Sequence, residues 1–266
     1  MSNAIAEAMR AEAVVASEAA EEPPVGHRGG PPLYGRMMKA IQSGHSFGNR
    51  VRMLKLPLIF LEEPLYAGAI TQFYWLTVTL ERLLDKFKDT PIIAQLVASL
   101  DLQPISPGYE SDLRQLYGAN WLERAEKEKT AATAAYMQSL ESADAVSLTA
   151  AAFILYGALV VGGGKMTQAK VRKVIPNCEH KLFDVADDMK GARQRFKNTF
   201  TAIGKEFPEE YAKLESEAAR FMSANNTVVL SVRCWGTRAS MIALVSVAVV
   251  GGLAACGRAL LSARRS

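Results

Sequence analysis

The sequence predicts an all-α domain, a helical bundle, followed by one C-terminal transmembrane helix. Apolar residues recur at helical spacing over most of residues 34–233, and no run of alternating polar and apolar residues indicates a strand. Prolines divide this region into segments of helical length, as expected at helix boundaries. Residues 239–257 carry no charge and have the length of a membrane span. The fold class follows from these three observations.

The helices can be placed along the chain from the apolar spacing and the prolines. A turn between Pro57 and Pro64 is expected to join the first two helices. The predicted helices cover residues 34–55, 65–88, 91–100, 109–117, 119–141, 149–173, 183–206 and 208–232.

The first 33 residues are expected to form a flexible N-terminal extension. Residues 1–21 are rich in alanine and glutamate, and residues 21–32 form a linker rich in proline and glycine. The folded domain is therefore predicted to cover residues 34–233.

Charge and cysteine content exclude several classes of protein. A net charge of +4 is too small to indicate a nucleic-acid partner. Three cysteines (Cys178, Cys234 and Cys256) form no disulfide framework, and an odd number fits a reducing compartment. No apolar segment follows a basic N-terminus, so no secretory signal is expected.

The segment at residues 239–257 has the features of a membrane tail anchor. Arg238 and Arg258 flank it, and Trp235 stands where an aromatic residue of the membrane interface is common. Such an anchor leaves the main domain in the cytosol, on either the endoplasmic reticulum or the mitochondrial outer membrane. The alternative is a buried helix of small residues.

Three consecutive glycines, Gly162, Gly163 and Gly164, interrupt the predicted helix at residues 149–173. Each glycine inside a helix costs roughly 1 kcal/mol relative to alanine, so three together are locally expensive. A helix bent there lets a flat ligand lie directly on the backbone. The alternatives are a tight helix crossing or a plain helix break.

His45 is the histidine that the sequence places on a helix ahead of this glycine stretch. His27 lies in the linker and His180 in a polar turn. Neutral imidazole is a good axial ligand for heme iron, so His45 is a candidate metal ligand opposite the glycines. The alternatives are a surface or packing role for His45, with His180 or Cys178 as the ligand.

Five segments, in this order and spacing, resemble the heme oxygenase family. The resemblance covers residues 34–233, and the membrane tail is similar in kind to that of animal heme oxygenases. The segments are Tyr66–Glu81 with its aromatic pair and closing Leu-Glu, Asp112–Trp121, Tyr156–Gly163 over the distal family motif, Arg195–Phe200, and Glu215–Asn225.

The resemblance implies oxygen-dependent cleavage of heme to biliverdin, carbon monoxide and iron, with electrons from a reductase. It places His45 at the proximal iron ligand, Gly162 and Gly163 against the heme, and Lys197 at a heme propionate. Thr201 replaces a second basic residue of the family, and Arg193 or Arg195 is a possible substitute.

The distal side departs from the family pattern. Leu159 occupies the position of the family aspartate that organises water for proton delivery. Leu155 replaces an arginine of that network, and Thr77 replaces a tyrosine. Leucine neither orders water nor relays a proton. Three functions therefore stay open: an active heme oxygenase, a heme-binding or heme-sensing protein without turnover, and a scaffold without heme.

Overall fold

The computed structural model describes residues 32–101 and 103–237, and this part of the chain is helical without a strand. The all-α prediction is confirmed. Within these residues the α-helices are α1 (Leu33–Ile59), α2 (Glu63–Lys86), α3 (Pro91–Leu100), α4 (Ser106–Tyr117), α5 (Trp121–Glu128), α6 (Ala131–Glu141), α7 (Ala145–Val160), α8 (Gly164–Val174), α9 (Met189–Glu206) and α10 (Tyr211–Ser231), with single 3₁₀ turns at Lys181–Phe183 and Pro208–Glu210.

The bundle is built around two helices, α10 and α2. One side of α10 packs against α1 and another against α7, while α2 packs against α4 and α6. α9 lies across α3 and α1. α1 and α7 are therefore both packed on α10 rather than closely on one another, and the candidate site residues are distributed between these two helices and α9.

Side-chain caps fix where several helices begin. The Asp144 carboxylate accepts the Ser147 N–H at 2.9 Å at the start of α7. The Asp188 carboxylate accepts the N–H groups of Lys190 and Gly191, each at 3.0 Å, at the start of α9. These caps satisfy N–H groups that have no partner within their own helix.

The structure corrects the prediction at three helix boundaries. α1 continues through Pro57 to Ile59, because proline in the last turn removes few helical hydrogen bonds and the chain turns only afterwards. The predicted helix at 119–141 is two helices, because the Thr130 hydroxyl caps a new one at α6. α9 begins at Met189 and not at residue 183, where the chain forms only a 3₁₀ turn.

The predicted N-terminal extension and tail anchor lie outside the described residues, apart from Pro32 and Leu33. Within residues 32–101 and 103–237, no single helix is both long and apolar enough to span a membrane. α7 and α8 reach that length and composition only as a bent pair. Most of α7 is buried in the bundle, as expected for a core helix.

Candidate functional site

The long predicted helix is broken at its glycines. The axes of α7 and α8 differ in direction by 52°. Gly163, between them, has φ of +85°, which lies in the left-handed region that glycine adopts most easily. The bend expected at residues 162–164 is therefore present.

The backbone of this turn itself requires glycine. The Gly162 N–H donates to the Gly157 carbonyl oxygen at 2.9 Å and closes the end of α7. A Cβ atom at Gly162 would lie 2.6 Å from the carbonyl oxygen of Ala158. A Cβ atom at Gly164 would lie 2.7 Å from that of Leu159. The glycines are thus explained by the sharp turn, whether or not a ligand contacts them.

The three glycines differ in what they expose. Gly162 is exposed, whereas Gly163 and Gly164 are buried. Of the two glycines predicted to contact heme, Gly162 presents bare backbone to solvent, and Gly163 acts through its left-handed conformation.

His45 lies on α1 and is half-buried. Burial and, next, the nearby positive charge of Arg52 lower the pKa of the His45 imidazole below its ordinary value. The ring is therefore neutral at pH 7, the form that ligates a metal. No hydrogen bond within the described part of the chain uses its ring nitrogens.

The helix turn that carries His45 is held close to α10. The Asn226 Nδ2 group donates to the Gly44 carbonyl oxygen at 2.8 Å. A Cβ atom at Gly44 would lie 2.8 Å from Met222 Cγ, and one at Gly48 would overlap the Asn226 side chain. Glycines on both sides of His45 thus permit a close helix contact that fixes this part of α1.

His180, which the sequence placed in a polar turn, is fully buried. Its Nε2 lies 2.8 Å from the Ile175 carbonyl oxygen and therefore donates a proton. Its Nδ1, 3.0 Å from the Tyr66 hydroxyl, accepts one. With both ring nitrogens occupied, His180 has no nitrogen available for a metal. No local pattern in the sequence indicated this buried role.

The same buried network includes Asp112 and Cys178. The Asp112 carboxylate accepts the N–H groups of Lys181 at 2.7 Å and Leu182 at 2.9 Å. Burial raises the pKa of the Asp112 carboxyl, and those two hydrogen bonds oppose the rise. Burial also raises the pKa of the Cys178 thiol to about 12, so it stays protonated. No cluster of metal-binding side chains occurs within the described ranges.

The basic face of α9 meets the end of α7. Arg193 Nε donates to the Val160 carbonyl oxygen at 3.1 Å, so Arg193 caps α7. Lys197 is one turn further along the same face and is half-buried, and no ion pair in the described residues uses its ammonium group. Arg195 Nε is buried without a hydrogen-bond partner. Arg195 is two residues from Arg193 and from Lys197, so it lies about 160° away around α9, and Lys197 is the cation available on this face.

Three residues stand at the distal positions of the family pattern. The two on α7 are apolar, and the third, Thr77 on α2, is polar. Leu155 is buried, and Leu159 is half-buried against the core. The Thr77 side chain is buried beside Tyr109, and burial raises the pKa of the Tyr109 hydroxyl. None of these groups is an ionised acid or base at pH 7.

α1, α7 and α9 meet in one aromatic cluster. The Tyr34 ring centroid lies 5.9 Å from that of Phe153 and 6.4 Å from that of Phe196. At 1.5 Å per residue, His45 and Gly162 each lie roughly 13–17 Å along the chain from this cluster. The two residues are thus carried by elements that share this aromatic contact.

These observations fit a flat, acidic ligand with a metal at its centre. The described residues offer a neutral imidazole with free nitrogens, a bare backbone segment at Gly162, and the Lys197 ammonium group without an acidic partner. The residues that match such a ligand in their chemistry are those that the sequence predicted. Arg193 is excluded from this group because it caps α7 through the Val160 carbonyl oxygen.

Comparisons with known proteins agree with this fold. The family model described as heme oxygenase matches residues 33–230. Heme oxygenase 2 from Chlamydomonas reinhardtii, solved without heme, is 26% identical with a TM-score of 0.68, and 78% of this chain covers 100% of that one. A search of curated proteins found no match.

Two cyanobacterial structures share the fold at lower identity. Heme oxygenase-1 from Synechocystis sp. PCC6803 in complex with heme is 21% identical, with a TM-score of 0.65 over 84% of this chain and 100% of that one. Heme oxygenase-2 from the same organism, in complex with heme and NO, is 19% identical, with a TM-score of 0.65 over 76% and 85% of the two chains. The chain belongs to the heme oxygenase family.

Proposed function

We propose that this chain is a membrane-anchored heme-binding protein that cleaves heme only slowly. The observation that carries the proposal is Leu159, an apolar side chain packed against the core where the family pattern has a carboxylate. The heme-binding half rests on family membership and on the unused ligating groups, and the slow turnover rests on the distal residues.

Four residues are proposed to hold heme. His45 ligates the iron, since its imidazole is neutral and has no hydrogen-bond partner in the described residues. Gly162 lets the ring approach the backbone. Gly163 holds the left-handed turn that exposes Gly162. Lys197 neutralises a propionate, because a cation next to a carboxylate forms a strong charge-assisted hydrogen bond. Heme supplies the ring that is cleaved, with O₂ and reductase electrons as co-reactants.

The chain offers little help with protons on the distal side. A leucine at 155 and another at 159 exclude water and hold no proton. The Thr77 hydroxyl is neither acid nor base at pH 7, and burial raises the pKa of the neighbouring Tyr109 hydroxyl. Because general acid–base catalysis is typically worth about 10²–10⁴ in rate, its absence slows turnover by a factor of that order.

A second candidate is heme binding or sensing without any turnover, which the same leucines favour. The two are separated by single-turnover absorbance of the hemin complex with ascorbate or a reductase. We expect Leu159→Asp to raise the yield of biliverdin, and the matched, uncharged Leu159→Asn to leave it low.

Three results would decide against parts of this proposal. Rapid and complete biliverdin formation by the unaltered chain would show that another group carries the proton. No biliverdin from the unaltered chain or from Leu159→Asp would favour the sensing function. Absence of any hemin binding would favour a scaffold without heme.

The membrane half of the proposal rests on the uncharged segment at residues 239–257. We expect the full-length chain to resist carbonate extraction, and Val247→Arg to weaken insertion by about 2.5–3.5 kcal/mol. Extraction of the unaltered chain by carbonate or high salt would contradict the anchor. The endoplasmic reticulum and the mitochondrial outer membrane are both compatible with a short span and basic flanks.

A further inference from the structure

Four large apolar side chains are exposed along the second half of α1 and from the end of α10 onwards, where the chain leads on to residue 238. Phe47 and Leu54, on α1, are 45% and 76% exposed. Leu230, near the end of α10, and Trp235, beyond it, are 51% and 60% exposed. We call these four residues the exit surface. Grouped apolar exposure of this kind marks interaction sites, whereas single exposed apolar residues are common on any protein.

The exit surface is held rigidly, because α1 and α10 run parallel and are tied together at this end. Arg36 pairs with Glu215 near the start of both helices. Near their ends, Lys55 Nζ donates to the carbonyl oxygens of Leu230 at 2.6 Å and Val232 at 2.5 Å. The point where the chain leaves α10 is therefore fixed against the exposed half of α1.

The exit surface is distinct from the candidate heme site. Phe47 and Leu54 are seven residues apart, so they share one face of α1. Leu54 is nine residues from His45, which places the two about 180° apart around the helix at 100° per residue. A surface that contacts a partner through Leu54 therefore leaves the face of His45 free.

We infer that the exit surface rests on the lipid headgroups of the membrane that holds the tail, an inference that depends on the proposed anchor. Ala239 follows Val232 by seven residues, a distance of no more than about 25 Å even when fully extended. The end of the domain that faces the membrane is then the end that exposes Trp235 and Leu54.

The chemistry of the exit surface matches a lipid interface. Tryptophan is enriched at the level of the headgroups, where its ring is partly apolar and its N–H is wet. Arg50 is exposed between Phe47 and Leu54 on α1, where it meets anionic headgroups. Contact through these residues sets the orientation of the domain, so that the His45 face of α1 lies away from the bilayer surface.

The inference can be tested with the full-length chain in vesicles of phosphatidylcholine and phosphatidylserine. Leu54→Cys carries an environment-sensitive fluorophore, in a background where Cys234 and Cys256 are serine. The matched control is Val97→Cys on α3, which is 51% exposed. α2 leads away from the exit end for about 36 Å before α3 begins. We expect spin-labelled lipid to quench the label at position 54 several-fold more than the label at position 97.

The other outcomes overturn the inference in distinguishable ways. Equal quenching at positions 54 and 97 in a carbonate-resistant chain would reject the exit surface and leave the anchor standing. A label at position 54 that is shielded from water but not quenched by lipid, and becomes accessible on dilution among vesicles, would show a second copy on this face. Release of the chain by carbonate would reject the anchor and the inference together.

Discussion

Substitution of Gly163 is the most direct structural test of the helix break. Its φ of +85° costs an L-residue roughly 1–2 kcal/mol. Replacing glycine also reduces the entropy of the unfolded chain, which offsets roughly 0.4–1 kcal/mol. A Cβ atom would lie 3.2 Å from Met166 Cε, a flexible end that can move aside. The net expectation for Gly163→Ala is a loss of about 0–1.6 kcal/mol in the free energy of unfolding.

Gly163→Asn is the matched control, because asparagine adopts the left-handed region more readily than alanine does. We therefore expect thermal stability to fall in the order glycine, asparagine, alanine. Each kcal/mol corresponds to a shift in Tm of about 2–4 °C for a domain of this size, which calorimetry resolves. If the larger asparagine were the more damaging substitution, space and not backbone conformation would govern this position, and the account of the turn would be refuted.

Three further predictions concern the buried network, its thiol and a helix cap. Asp112→Ala should cost about 2–4 kcal/mol in denaturant unfolding, since two buried N–H groups lose their acceptor, and Asp112→Asn should cost less; equal losses would contradict that reasoning. Asp112→Ala should also speed the reaction of Cys178 with a thiol reagent relative to Asp112→Asn, because the carboxylate accepts the N–H groups of Lys181 and Leu182 and so holds the loop in which Cys178 is buried; an unchanged rate would show that the loop does not depend on the carboxylate. Partial burial acts to raise the pKa of the Asp144 carboxyl, but hydrogen bonds from Lys213 and Ser147 lower it to about 2. The pKa in the unfolded chain is near 3.8, so the stabilisation that this carboxylate contributes is full above pH 4 and is lost as pH falls towards 2. Asp144→Asn should flatten the dependence of Tm on pH between pH 4 and 2. A slope identical to that of the unaltered chain would show that another group causes this pH dependence.

The elements that the sequence predicted well are those whose signal is local. Helical spacing and proline positions gave α3 at residues 91–100 without error, and the glycines gave the break after α7. The helix boundary at Thr130 was not predicted, because in the sequence a capping threonine is indistinguishable from other polar residues. The structure identifies the cap by the hydrogen bond from the Thr133 N–H to the Thr130 hydroxyl. Pro57 was misleading because its effect depends on how much helix follows it.

The candidate site was harder to predict, because its chemistry depends on tertiary contacts. The sequence placed His45 on a helix and His180 in a polar turn. It did not show that Tyr66 and Ile175 occupy both ring nitrogens of His180, while neither nitrogen of His45 has a hydrogen-bond partner in the described residues. Arg193 and Arg195 were equivalent substitutes until the structure placed Arg193 Nε on the Val160 carbonyl oxygen. Tyr66 is 114 residues from His180, and Val160 is 33 residues from Arg193, so no local pattern could separate these cases.

The claim that this chain binds heme through His45 is tested most directly by titrating hemin into the protein and recording the Soret band. The unaltered chain and Ser46→Ala, an exposed neighbour on α1, should give a histidine-ligated spectrum at one equivalent. His45→Ala should lose that spectrum while far-ultraviolet circular dichroism stays unchanged, since alanine is the best helix former. An unaltered Soret band in His45→Ala would contradict the assignment of His45 as the iron ligand.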